Sequence, residues 1–468
     1  MDNITQNLQS FGAIIWGPPT WLLLGVCGLY LSFKTSWFQI TKAKYYFGNT
    51  LGSMLKKDKD TTTKKGDITP FQAFTAAMAA TMGVGNLVGT TTAIIIGGPG
   101  AVFWMWIIGF FGITTKLAEI SLAVHFREVT PSGNILGGPM KYIERGLGPK
   151  WKPLAIIFAT AGSLAAFGIG NLAQANNVVN AFENAFGAHR QVTGAIIVIL
   201  VGLVIIGGVK RIGAVAEYLV PAFAIIMITG SLLVVGQNYN RIFYAFGLII
   251  GGAFTFQGAT GGFLGAGVAL AIRYGLMRGI FSNEAGLGSA PIAHATAITD
   301  HPVKQGLWGA TEVVLDTHVV ATIVALAIIT SGAWTMEGMN ATQIFMYAFS
   351  SSFIGHTVGN FLAAVSIAGF AITTMLGWSF YGEKCLQYLF GQKTNMAYRV
   401  IFLIVLFIGS YGVVPVWAVS DILNAFMAIP NIIAVILLTG VFTKILKSYF
   451  AGEKYVPYDE NNSYYLKK

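Results

Sequence analysis

Two stretches of this 468-residue chain place glycine, amide and hydroxyl residues in the middle of runs that are otherwise apolar. The first reads Thr81-Met82-Gly83-Val84-Gly85-Asn86-Leu87-Val88-Gly89 and follows the small residues Ala76, Ala77, Ala79 and Ala80. The second reads Phe254-Thr255-Phe256-Gln257-Gly258-Ala259-Thr260-Gly261-Gly262-Phe263-Leu264-Gly265. Glycine and asparagine are poor helix formers. A helix broken there exposes backbone N–H groups at the positive end of a helix dipole, which suit an anionic group. It also exposes carbonyl oxygens, which suit a cation. Together these groups fit a zwitterion with a co-bound metal cation, and Gln257 and Thr260 are placed to touch the former. Each stretch taken singly is equally well explained by close helix packing through small residues. A nucleotide-binding loop is excluded by the spacing.

Other polar residues inside apolar runs have plainer explanations. Asn171 and Gln174, which follow Phe167 and Gly168, are three apart and share a helix face. They either bind a ligand or hydrogen-bond a neighbouring helix. Lys116 and Glu119 have the same spacing and are expected to pair with each other. Glu312 and Asp316, with His318 nearby, are expected near a cytoplasmic helix end. Solvation or pairing explains them better than proton coupling. Glu284 is expected in a cytoplasmic connection, as a gate or a loop anchor.

The elements that must position these residues are transmembrane helices. Hydrophobic residues make up 54% of the chain and charged residues only 10%, against roughly a quarter charged in soluble domains. Apolar runs of spanning length fall at roughly 11–33, 69–97, 100–126, 153–181, 191–208, 213–236, 243–273, 306–330, 356–382, 398–416 and 419–444. About eleven transmembrane helices are therefore expected, since isolated backbone in lipid must satisfy its own hydrogen bonds. The net charge of +10 sits in short loops and forms no nucleic-acid face. Loop 34–68 holds eight lysines, and later alternate loops hold Arg127, Lys141, Arg145, Lys150, Lys152, Lys210, Arg211, Arg273, Arg278, Lys304, Lys384, Lys393 and Arg399. The opposite loops hold only Arg190 and Arg241. This bias predicts the N-terminus outside and the C-terminus in the cytoplasm. Segment 36–57 mixes aromatic residues with lysines and reads equally as an interfacial helix or a basic loop. Cys27 and Cys385 support neither a disulfide framework nor a metal site.

The two interrupted spans lie five spans apart, so they cross the membrane in opposite directions. Glycine-interrupted spans at matching places in inverted five-helix units point to a substrate site at the midplane. The predicted organisation is an N-terminal helix and linker over 1–68, repeats over 69–237 and 238–446, and a tail over 447–468.

Gly97-Gly98-Pro99-Gly100-Ala101-Val102-Phe103-Trp104-Met105-Trp106 resembles the signature of the sodium:alanine symporter family, the alanine or glycine:cation symporters. Phe281-Ser282-Asn283-Glu284-Ala285-Gly286-Leu287-Gly288-Ser289-Ala290-Pro291 is similar to that family too. The resemblance implies a LeuT-type fold with one extra N-terminal helix and sodium-coupled uptake of alanine or glycine at a plasma membrane. It also implies residue roles. The N–H groups of Val84 and Gly85, beside Gly83, would hold the substrate carboxylate, and the Thr81 carbonyl would face the ammonium. Thr373 and Thr374 resemble paired hydroxyl ligands of a sodium ion, with the carbonyls of Ala79, Met82 and Phe370 completing the site. Gly89 stands where an extracellular gate arginine would be, although Asp421 resembles its acidic partner. Proton coupling is the nearest rival within the transporter class. A channel lacks a repeated filter, and an enzyme lacks a His-rich metal motif, a nucleophile constellation or a nucleotide loop.

Overall fold

The span that begins near residue 70 is started by a specific cap. Thr69 accepts from the Gln72 backbone, Gln72 returns the bond to the Thr69 N–H, and Pro70 occupies the first turn. The helix Pro70–Thr81 ends where the glycines begin, and Met82 leaves it with ψ 69°. A second segment, Gly85–Gly97, continues at 46° to the first. The interruption expected from the sequence is therefore a bend in the backbone.

The computed structural model describes residues 2–53, 66–254, 266–352, 355–412, 416–459 and 465. Among them, seven helices are long and apolar enough to cross a membrane: Ala101–His125, Pro149–Phe186, Gly208–Gln237, Pro302–Ser331, His356–Phe390, Gln392–Tyr411 and Ala418–Leu437. The bent pair makes an eighth span. The expected spans at 11–33 and 191–208 correspond to shorter helices, Pro18–Lys34 and Arg190–Ile205. The expected span at 243–273 is divided between Ile242–Phe254 and Ala266–Asn283, and 255–265 lie outside the described residues. Length and apolarity thus establish seven or eight spans, and eleven remains the expectation from the sequence. The only β-strands among the described residues are the short antiparallel pair Glu128–Val129 and Ile135–Leu136.

Several helices pack around the bend. Helix His356–Phe390 packs along Pro70–Thr81. A Cβ on Gly377 would lie 2.9 Å from the Ala80 nitrogen, so the approach requires glycine. Helix Ala101–His125 packs against both Pro302–Val313 and Ala266–Asn283. Wide π-helical turns occur at Gly85–Gly89, Gly168–Leu172 and Val314–Ala321, and each re-aims side chains near the bend. Segment 36–57 forms the short helices Phe38–Thr41 and Ala43–Asn49. Phe38 and Tyr46 are buried while Ile40 is exposed, and Phe38 and Tyr45 pack against Phe450.

Candidate functional site

The bend frees backbone groups. Met82 N–H still reaches the Met78 carbonyl at 2.7 Å, but Gly83 N–H turns back to Thr81 at 2.8 Å. Asn86 N–H goes to the Gly83 carbonyl at 3.1 Å. The N–H groups of Val84 and Gly85 find no backbone acceptor among the described residues. They are the leading donors of a new helix segment, so this is an anion-ready end. A small cavity opens here, lined by Ala80, Thr81, Gly83, Gly85, Ile169, Gln174, Phe281, Glu284, Thr374 and Trp378. Residues from four separate chain segments meet in it. The Gln174 amide donates to the Ile169 carbonyl at 2.9 Å, and its own oxygen has no partner among the described residues.

Thr374 stands on the far wall, with Thr373 next to it in the chain. Thr373 and Thr374 are buried and donate to the Phe370 carbonyl at 3.0 and 2.8 Å. A Cβ on Gly83 would fall on Thr374 Oγ1. The unwound backbone and the hydroxyl therefore touch, and only glycine permits that contact. Ala79 and Met82 are buried beside it on the broken helix.

A polar network lies on the opposite flank. Lys116 Nζ donates to Glu312 Oε1 at 2.9 Å and to the Asn283 carbonyl at 2.6 Å, with both side chains fully buried. The Thr81 hydroxyl lies 3.1 Å from the same Glu312 oxygen. His294 Nε2 meets Glu312 Oε2 at 3.1 Å, and the Gln305 amide nitrogen meets His294 Nδ1 at 2.7 Å. As placed, that amide fixes the ring proton on Nε2, so the histidine is neutral. One turn further on, Asp316 accepts from Asn86 Nδ2 at 2.7 Å, Ser282 Oγ at 2.6 Å and Thr317 Oγ1 at 2.9 Å.

Comparison with known proteins agrees with this architecture. MhsT, solved in complex with L-phenylalanine, superposes with a TM-score of 0.59 at 13% identity, over 81% of this chain and 90% of its own. That likeness gives the LeuT-type transporter fold. The sodium/alanine symporter AgcS of Methanococcus maripaludis is 40% identical over 450 residues, 96% of this chain and 97% of that protein. The probable sodium/glutamine symporter GlnT of Bacillus subtilis is 37% identical over 94% of this chain and 90% of its own. The model of the sodium:alanine symporter family matches residues 1–462. The chain belongs to the sodium:alanine symporter family.

Within this symporter the expected site residues divide. Thr81, Gly83, Gly85, Gln174 and Thr374 line one cavity. Phe167, Gly168 and Asn171 are not among its lining residues. Phe167 packs on Tyr398 and Phe402, with ring centres 5.1 and 5.9 Å away. Gly168 abuts Ser420. Of the two alternatives for Asn171, the structure shows a helix tie: its amide donates to the Phe402 carbonyl at 2.7 Å. Gln257 and Thr260 lie outside the described residues.

Three charge assignments need correction. Lys116 pairs with Glu312 rather than Glu119, and Asn431 donates to Glu119 instead. The tertiary partner wins because Glu312 also satisfies the neighbouring donors of Thr81 and His294. Glu312 and Asp316 are fully buried at the bend rather than near a helix end, and of the solvation or pairing expected for them Glu312 shows pairing, with Lys116. Glu284 lies in the connection after the helix Ala266–Asn283, where Ser289 of the same connection donates to it at 2.6 Å, and it is buried in the cavity wall. Arg273 and Arg278 belong to the helix Ala266–Asn283, not to a loop. They line a second cavity with Trp16, Ile96 and Asp421. A Cβ on Gly89 would lie 3.9 Å from Arg278 Cδ, so an arginine from another helix stands beside the glycine. Sequence spacing gave no signal for Trp378, Phe281 or Glu284 in the cavity. They approach it only through tertiary packing.

Proposed function

We propose that this symporter carries a small neutral amino acid, alanine foremost and glycine with it, into the cell together with sodium, by alternating access. The observation that carries the reading is the contact between Gly83 at the bend and Thr374 across the cavity. It brings freed backbone and a hydroxyl ligand to the same wall. In this reading the Val84 and Gly85 N–H groups bind the carboxylate, and the Thr81 carbonyl faces the ammonium. Gln174 and the Gly83 backbone complete the polar wall. Ile169, Phe281 and Trp378 close the side-chain end. Sodium is held by the Thr373 and Thr374 hydroxyls with the carbonyls of Ala79, Met82 and Phe370, oxygen ligands that suit a hard cation.

Purified protein in liposomes, with sodium and proton gradients imposed separately, tests the coupling. Alanine accumulation driven by sodium alone is expected. Accumulation that follows only the proton gradient would give the role to a proton. The apolar wall predicts strong competition by glycine and weak competition by leucine or phenylalanine. Backbone contacts to both charged ends predict that alaninamide and N-acetylalanine do not compete. Strong competition by either would sink the zwitterion assignment.

The reading also places the N-terminus outside and the C-terminus in the cytoplasm of a plasma-membrane protein. Both native cysteines are buried, so a background lacking them is suitable for labelling. In intact cells an impermeant thiol reagent should reach a cysteine at Glu337 and should not reach one at Lys44. The reverse pattern would invert the topology.

A further inference from the structure

Two buried carboxylates one helical turn apart beside the bend are neutralised differently. Among the described residues Asp316 accepts hydrogen bonds from the neutral groups of Asn86, Ser282 and Thr317. Glu312 has a cation of its own, because the Lys116 ammonium sits on it at 2.9 Å with both side chains fully buried. Lys116 places its protons on a carboxylate and on the Asn283 carbonyl. These are the oxygen types that a bound metal cation would take. The third contact of Glu312 that matters is the Thr81 hydroxyl, from the last turn before the bend.

We propose that Lys116 is a resident cation of the translocation pathway. Its ammonium permanently holds the counter-charge position of Glu312, so Glu312 draws no ion from solution. The exchanged cation is thereby confined to the hydroxyl site at Thr373 and Thr374. This rests on the sodium-coupled reading above. The physical reason is field neutrality. A site built from neutral oxygens has no charge of its own to hold sodium, so an unpaired charge across the bend changes its occupancy strongly. A unit charge within about 10 Å, at an effective dielectric constant near 20, shifts a cation equilibrium by roughly tenfold.

The sign of the shift separates this role from simple packing. Alanine uptake into liposomes is measured against sodium concentration for Glu312→Gln, Lys116→Met and the double variant. Sodium-dependent thermal stabilisation in detergent gives a second readout that needs no transport. Glu312→Gln leaves the ammonium unpaired and should raise half-saturating sodium about tenfold. Lys116→Met leaves the carboxylate unpaired and should lower half-saturating sodium several-fold or make the dependence cooperative. The double variant is neutral and should return within about threefold of the wild type. Shifts of both single variants in the same direction would overturn the proposal. So would a folded double variant displaced by more than about tenfold, and that comparison decides the matter if either single variant fails to fold. A wild-type protein with no response to sodium would instead remove the coupling reading on which the proposal stands.

Discussion

Thr374→Val raises the sodium concentration for half-maximal alanine uptake by about tenfold to a hundredfold. Valine keeps the shape of threonine and deletes one oxygen. Thr374 is buried, lines the cavity and abuts the unwound backbone at Gly83. An interaction with a charged group that is lost in a dry site is worth about 1.5–3 kcal/mol, which is the stated range at roughly 1.4 kcal/mol per decade. Thr373→Val should act in the same direction, since its hydroxyl shares the Phe370 carbonyl with Thr374. Alanine affinity at saturating sodium should change less, because the two ligands are linked through the same bent helix rather than sharing this oxygen. The check is a sodium titration of uptake at fixed alanine, followed by an alanine titration at saturating sodium. Wild-type sodium dependence in both valine variants would reduce the hydroxyl pair to a packing feature.

The bend was legible in the sequence because its cause is local. Gly83, Gly85 and Asn86 are poor helix formers within a few residues of one another, and the pairing with a second such stretch favoured a break over packing. The hydroxyl pair became visible through family resemblance, and packing then placed Thr374 against Gly83. The charges were misread because their energetics are not local. At a spacing of three, Lys116 and Glu119 look like partners, yet in a buried helix the choice goes to whichever group also satisfies the remaining donors. Glu312 does so by taking Lys116 on one oxygen and His294 on the other. Asn431 reaches Glu119 from a helix more than three hundred residues away in sequence. The same limit applies to Phe167 and Asn171. The sequence offered Asn171 both a ligand and a neighbouring helix, and the π-helical turn of their helix directs the two residues toward Tyr398 and Phe402. Periodicity alone assumes a regular 3.6-residue turn and so assigns such faces wrongly.

Gly83→Ala abolishes sodium-coupled uptake, with an expected loss of about a hundredfold or more in the initial rate. The added methyl would overlap Thr374 Oγ1, a hydroxyl anchored to the Phe370 carbonyl at 2.8 Å. Neither side can yield cheaply. Thr374 lies within the long helix His356–Phe390, and that helix is pressed against Ala80 through Gly377. The overlap therefore separates the bent backbone from the hydroxyl site and loosens both sodium and substrate. A second glycine supplies the contrast. A Cβ on Gly85 meets only the Phe281 carbonyl at 3.9 Å, so Gly85→Ala fits but places a methyl in the cavity. It should weaken alanine binding several-fold and leave sodium-dependent thermal stabilisation intact. A further variant distinguishes a lost ligand from a mere clash. Gly83→Ala combined with Thr374→Ala removes the overlap and also removes the hydroxyl, so it should remain inactive. Recovery of sodium-driven uptake in that double variant would mean that the contact matters only for space, and the cation would then have to be held elsewhere along the bend.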